Sequence, residues 1–221
     1  MARFDMPKSE NTVSLQSSSE KKRVQDIYIL DVSGSMGGDK YVSAVAGIRK
    51  CITDNIKNPD VEMITTVCTF NYPTNIQYPI LKEKTTEKLL GVEFAKPNGM
   101  TALLDAIGRT IEMFKDSKDA VLIKIFTDGA ENNSRSFTPF AIKNLINECK
   151  SKGWTITFVG TEQDVLDIIN RFGIDKSNTL SHDNTAQGIE VAYEVTRSAI
   201  ANYSKSLSEG KNVTMSFFSQ D

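Results

Sequence analysis

Apolar residues in this chain recur in two rhythms, and the two alternate. Gln25–Asp31, Val61–Asn71, Val121–Phe126, Trp154–Val159 and Thr179–Ser181 are short stretches rich in apolar and β-branched residues. They read as strands, and the unbroken Ile27-Tyr28-Ile29-Leu30 reads as one buried on both faces. Between them, apolar positions fall three or four apart. Tyr41, Val45, Ile48, Ile52 and Ile56 mark a helix over Lys40–Lys57, and Leu103, Leu104, Ile107, Ile111 and Phe114 mark a second from about Ala102. Phe140, Ile142, Leu145, Ile146 and Cys149 mark a third, and Gln163–Phe172 and Thr185–Tyr203 complete the series. Asn75–Leu81, after the turn Tyr72-Pro73-Thr74, reads as a hairpin partner antiparallel to its neighbour, and Thr85–Leu90 as a short helix. The alternation predicts an α/β fold: a doubly wound, mainly parallel six-stranded sheet with one antiparallel edge strand and helices on both faces.

Turn residues fall where these elements must begin and end. Asp39 is placed to cap the first long helix, and Asn58-Pro59 to stop it. Pro97-Asn98-Gly99 signals a loop. Thr138-Pro139 pairs an N-cap with proline at the first helical position, and Gly153 ends that helix. Residues 1–23 are rich in Ser, Lys and Glu and are expected to form a mobile arm. Residues 24–203 form the domain, and 204–221 a Ser-rich tail in which Val213–Phe218 is apolar enough to pack.

Composition narrows the function. The 221 residues are 39% hydrophobic and 24% charged, with a net charge of −2, which leaves no basic footprint for nucleic acid. No apolar run has the length of a membrane span, and the N-terminal residues lack a secretory signal, so a cytoplasmic location is expected. Cys51, Cys68 and Cys149 have no metal-type spacing and read as buried free thiols. No dinucleotide fingerprint and no lysine-bearing phosphate loop follows a strand.

The chemistry is carried by Asp31-Val32-Ser33-Gly34-Ser35-Met36, at the end of the first strand. A carboxylate and two hydroxyls on alternate residues form half of an oxygen shell for a hard divalent cation. Ligands of open parallel sheets bind at the carboxyl ends of the strands. Two other junctions carry matching oxygens: Thr101, just before the second long helix, and Asp128, just after the strand ending at Phe126. Taken singly, the first motif also fits a plain turn, Thr101 a helix cap and Asp128-Gly129 a turn.

Together these residues resemble the von Willebrand factor A-type domain, and the stretches Thr127-Asp128-Gly129-Ala130-Glu131-Asn132 and Gly153-Trp154-Thr155-Ile156-Thr157-Phe158-Val159-Gly160 resemble its small stand-alone bacterial and viral members. That family's metal-ion-dependent adhesion site runs Asp-x-Ser-x-Ser, then a distant Thr, then a distant Asp. Asp31, Ser33, Ser35, Thr101 and Asp128 match it in order, and the resemblance covers roughly Val24 to Tyr203. It implies a Mg²⁺ (or Mn²⁺) touched by the three hydroxyls, with the two aspartates acting largely through water or as alternates to Thr101. Such an ion keeps most of its charge and favours a carboxylate from outside, so the implied partner is a protein presenting Glu or Asp. A non-catalytic binding module is expected. The alternatives are a metal-assisted phosphoesterase and a non-catalytic subunit of an ATP-driven assembly.

Neighbouring residues carry weaker expectations. His182 reads as solvated or hydrogen-bonded rather than functional. Asn71 lines the rim or makes a turn. Glu131, Asn132 and Asn133 form a solvated loop or shape partner choice. Met63, Met100 and Met113 read as core filler.

Overall fold

The strand rhythm is realised as a parallel sheet in a computed structural model that describes residues 21–71, 90–129 and 131–219. Strands β1 (Arg23–Asp31), β2 (Glu62–Phe70), β3 (Ala120–Phe126), β4 (Thr155–Gly160) and β5 (Thr179–Ser181) lie in the order β2-β1-β3-β4-β5. Every neighbouring pair is parallel. The expected antiparallel strand Asn75–Leu81 and nearly all of the short helix Thr85–Leu90 fall outside the described residues, as does most of the N-terminal arm.

The helices packed on the sheet are α1 (Asp39–Ile56), α2 (Leu103–Phe114), α3 (Pro139–Ser151), α4 (Glu162–Phe172) and α5 (Ala186–Ser208). Alternation along β1 sends Tyr28 and Leu30 to one face and Ile27 and Ile29 to the other. The first face is covered by α1 and α5, through Ile48, Ile52, Tyr193 and Ile200. The second is covered by α2, α3 and α4, through Ile107, Ile142, Ile146 and Ile168. Each such side chain withdrawn from water contributes roughly 1.5–3 kcal/mol, which makes these two layers the main source of stability. Helices α1 and α5 touch at Gly47, where a Cβ would stand 2.3 Å from Cγ of Tyr193. The Tyr193 ring in turn stacks on Phe126 at 4.4 Å between centroids.

One ion pair is sealed inside the first layer. Lys124 and Asp26 are both fully buried and bonded to each other. Asp26 also accepts from Asn55 Nδ2 at 2.7 Å and Thr65 Oγ1 at 3.2 Å. The Lys124 ammonium lies 3.9 Å from the centre of the Tyr28 ring. Burial pulls the Lys124 pKa below its ordinary 10.5, against the attraction of Asp26.

Helix ends mostly follow the local chemistry. Thr138 accepts from Ala141 N with Pro139 beside it, and Thr161 and Asp164 form a capping box on α4. The start of α1 differs from expectation: Gly38, with φ of +71°, is the N-cap, and Asp39 is the first helical residue. Its carboxylate therefore favours the positive helix end through the first turn rather than through a cap. The chain beyond Tyr203 is also more ordered than its serines imply. Helix α5 runs to Ser208, Ser204 Oγ donates to the Ile200 carbonyl, and Asn58 Nδ2 donates to Ser204 Oγ. After it, Phe217 is buried against Tyr203, and Asn178 bonds both Thr214 O and Phe217 N. Among the described residues, no helix is long and apolar enough to cross a membrane.

The topology fixes where a ligand can sit. The chain moves outward from β1 to β2, then returns past β1 to β3 and continues the other way. The switch point lies between β1 and β3, and the crevice outside their carboxyl ends is where such sheets bind. Asp31 is the last residue of β1, and Asp128 follows β3 by two residues.

Candidate metal centre

Three loops meet at the switch point, and each is built locally. In the first, Asp31 Oδ1 accepts the Ser33 N–H at 2.7 Å, turning the chain at once after the strand. A single 3₁₀ turn over Gly34–Met36 follows and leaves the Ser33 and Ser35 hydroxyls 3.0 Å apart. The second loop is fastened to the first by two backbone bonds, Asn98 N to Val32 O at 2.9 Å and Gly34 N to Gly99 O at 3.0 Å. Gly99 has a φ of +72°, a left-handed turn that suits glycine. Asn71 Nδ2 donates to Asn98 O at 2.9 Å and holds the same segment from β2. Asn71 thus braces a loop of the rim.

Thr101 follows and is clamped by Asn132: its N–H donates to Asn132 Oδ1 at 3.0 Å, and its carbonyl accepts from Asn132 N and Asn133 N. It is not a helix cap, because Ala102 occupies that position without a side-chain bond. Thr127-Asp128-Gly129 is the third loop. Thr127 Oγ1 donates to Asp31 Oδ2 at 2.6 Å, and Ser35 Oγ donates to Asp128 Oδ1 at 2.6 Å. Gly129 lies between all three loops. A Cβ there would stand 3.3 Å from Thr101 Oγ1, 3.5 Å from Ser35 Oγ and 3.9 Å from Asp31 Oδ2. The five residues singled out in the sequence are therefore brought together at one rim. Asp31, Ser33, Thr101 and Asp128 are buried, while Ser35 and Gly34 are exposed and form the mouth.

Burial pushes the Asp31 carboxyl up from 3.8 to about 6, even though bonds from Thr127 and Ser33 favour its ionised form. Asp128 has a different neighbour. The Lys40 ammonium, from the first turn of α1, bonds Asp128 Oδ2 and also donates to Asn184 Oδ1 at 3.0 Å.

The residues present fit a hard cation. Among the described residues no three His, Cys, Asp or Glu side chains come together as a metal-holding group. The donors are two carboxylates and three hydroxyls, an all-oxygen set suited to Mg²⁺ or Mn²⁺. Two ligands at right angles on an ion with bonds of about 2.1 Å stand roughly 3 Å apart, which is the separation of the Ser33 and Ser35 hydroxyls. The donors converge closely on Gly129, whose absent Cβ would lie within 4 Å of oxygens of Thr101, Ser35 and Asp31, and Lys40 already satisfies Asp128 with a positive charge.

Several functional neighbours were not legible in the sequence. Glu131 is no solvated loop residue: it accepts from Leu104 N, Asn133 N, Ser134 N and Ser134 Oγ, pinning the third loop to the start of α2. Asp105, buried in α2, accepts the N–H groups of Arg135, Ser136 and Phe137. Lys40 was missed, although a lysine in the first turn of a helix, against the macrodipole, is itself a signal. The His182 ring bonds the Asp183 carbonyl at 2.8 Å. Met63 packs on the core as expected, but Met100 and Met113 are exposed. Met100 stands in the loop beside Thr101, and Met113 on the outer side of the last turn of α2.

No protein-family model matches the chain, and no curated protein matches it. Solved structures do. Proximal thread matrix protein 1 from the mussel byssus, in a form with a zinc-occupied MIDAS motif, aligns with a TM-score of 0.65 at 16% identity. The alignment covers 82% of this chain and 46% of that one, so this chain spans about half the length of the mussel protein. The vWF domain of the type V pili tip protein Mfa5 from Porphyromonas gingivalis aligns with a TM-score of 0.62 at 14% identity, over 81% of this chain and 95% of that one. The SpRpn10 VWA domain aligns with a TM-score of 0.60 at 12% identity, over 79% of this chain and 94% of that one. At these identities the likeness concerns architecture. With the strand order, the helical layers and the rim loops, it gives this chain the von Willebrand factor A fold.

Proposed function

We propose that this protein is a metal-dependent binding module that captures an acidic side chain of a partner protein. The observation that carries the reading is the cradle at Gly129, where Thr101, Ser35 and Asp31 present oxygen atoms from two further loops. Ser35 offers a neutral hydroxyl at the mouth and Ser33 a buried one beside it, Thr101 a third from the start of α2, and Asp31 and Asp128 the negative charge behind them. Thr127 orients the Asp31 carboxylate, as the outer partners of metal ligands do. The ion supplies, when bound, an open coordination position for a carboxylate oxygen. Because the hydroxyls leave the ion's charge largely uncancelled, Glu or Asp is favoured there over neutral side chains. The presence of an occupied site of this name in the mussel protein supports the reading.

Calorimetry with Mg²⁺, Mn²⁺ and Zn²⁺ tests it. The wild-type protein is expected to bind Mg²⁺ and Mn²⁺, and Asp31→Ala to lose both. Equal affinity in the variant would refute the assignment. Capture of a partner is expected to vanish with a chelator and with Ser33→Ala. We further propose that the module is not an enzyme. Purified protein should leave generic phosphoesters intact, and hydrolysis lost in Asp31→Ala would reverse that conclusion.

A further inference from the structure

We infer that Lys40 is a tethered counter-cation that competes with the divalent ion for Asp128 and so sets how tightly the ion is held. The inference rests on the metal-binding reading above. Lys40 is the second residue of α1, where a positive charge meets the positive end of the helix macrodipole. Nothing local favours it there. What compensates is Asp128, whose side chain is fully buried and whose Oδ2 takes the ammonium. The other oxygen, Oδ1, is already bonded to Ser35. Both oxygens of the last carboxylate of the site are therefore satisfied by the chain itself.

An ammonium and a divalent ion on one buried carboxylate repel each other strongly, because little water lies between them. One of them must yield. The Lys40 side chain is 21% exposed and ends a flexible four-carbon stem, so its charged head can turn out into water. Its second partner, Asn184, lies just before the Thr185 cap of α5, so the ammonium joins the rim to the helix layer of α1 and α5. Without the ion, Lys40 keeps Asp128 from being a buried unpaired charge. With the ion, that function passes to the metal. The affinity for the ion is lowered by whatever Lys40 contributes in its absence.

The test compares the wild-type protein with Lys40→Met, which keeps the stem and removes the charge, and with Lys40→Gln as a second neutral variant. Mg²⁺ and Mn²⁺ affinities are measured by calorimetry and by Mn²⁺ paramagnetic resonance, and the ion-induced rise in melting temperature is measured alongside. The neutral variants are expected to bind about tenfold more tightly, a factor equivalent to ~1.4 kcal/mol. They are also expected to show the larger rise in melting temperature, since an ion that binds only the folded state stabilises it in proportion to its affinity. Unchanged or weaker affinity in whichever neutral variant folds would overturn the competition while leaving the metal reading intact. No binding by the wild-type protein or by either variant would overturn both.

Discussion

The sheet carries two lysine–aspartate pairs that look alike on paper and behave differently in place. Lys124 and Asp26 meet in the middle of the sheet, both with no exposed side-chain surface. Lys40 and Asp128 meet at its carboxyl rim, the aspartate sealed and the lysine 21% exposed. Around Asp26 the remaining donors come from Asn55 and Thr65, both buried residues. Around Asp128 the other donor is Ser35, exposed at the mouth of the site. The same two functional groups therefore make a fixed structural unit in one region and an exchangeable one in the other. Depth and the identity of the third partner decide which.

The sharpest way to break this comparison is to remove the lysine from each pair. Lys124→Met leaves the Asp26 charge buried and unpaired, and such a loss costs about 3–5 kcal/mol. Lys40→Met leaves the sealed Asp128 carboxylate with Ser35 still bonded to it at the mouth, and a buried acceptor that loses one partner costs about 1–3 kcal/mol. Urea denaturation of both variants without divalent ions measures the difference. The double variant Asp26→Asn, Lys124→Met should recover most of the loss, because the amide oxygen still accepts from Asn55 and Thr65 without a charge to bury. Equal destabilisation by the two single substitutions would erase the distinction between the regions.

A smaller effect comes from Asp31, whose raised pKa belongs to the rim. The folded protein holds a proton on this carboxyl up to about pH 6, whereas the unfolded chain releases it near 3.8. Its contribution to stability is thus complete below about pH 4 and is lost as the pH climbs to about 6, in all by about 3 kcal/mol. Metal-free wild-type protein should lose stability across that window, and Asp31→Asn should not. Excess Mg²⁺ should raise wild-type stability from about pH 6 upward, where the carboxyl is ionised and the ion takes the place of the proton. A wild-type profile that rises from pH 4 to pH 6 as steeply as that of Asp31→Asn would show that the carboxyl is not desolvated as the fold implies.

The comparison also explains what the sequence disclosed. Strands and helices were legible because the rhythm that marks them is the rhythm that buries them. Asp31, Ser33 and Ser35 were legible as three neighbours on one turn, and Thr101 and Asp128 because each ends or begins an element at the same rim. The resemblance to a known domain joined these fragments before any distance was known. The ion pairs were not legible. Asp26 and Lys124 are 98 residues apart, and Lys40 and Asp128 are 88 apart, so their partners exist only after the strands are ordered. Glu131 and Asp105 were hidden for another reason: a carboxylate that accepts backbone N–H groups looks, in sequence, like any charged loop or helix residue. Ser204 and Ser208 misled because their hydroxyls bond backward within the helix, Ser204 being buried as it does so.

The finest distinction between the regions concerns space rather than charge, and Gly129→Ala isolates it. Core glycines such as Gly47 are closed by contact, since a Cβ would collide with the Tyr193 ring at 2.3 Å. At Gly129 the nearest atom is Thr101 Oγ1 at 3.3 Å, the end of a side chain that can shift by a few tenths of an ångström. Its φ is not left-handed, so alanine fits the backbone. Replacing glycine at such a position restrains the unfolded chain and stabilises by about 0.4–1 kcal/mol, which the mild crowding offsets. Unfolding free energy should therefore stay within about 0.5 kcal/mol of wild type. Metal affinity should not. The added methyl enters the one space that Thr101, Ser35 and Asp31 all border, and should weaken Mg²⁺ and Mn²⁺ binding by about tenfold or more, or ~1.4 kcal/mol. A variant that keeps both its stability and its metal affinity would place the ion elsewhere on the rim. One that loses stability by several kcal/mol would show that the rim, like the core, is held together by close packing.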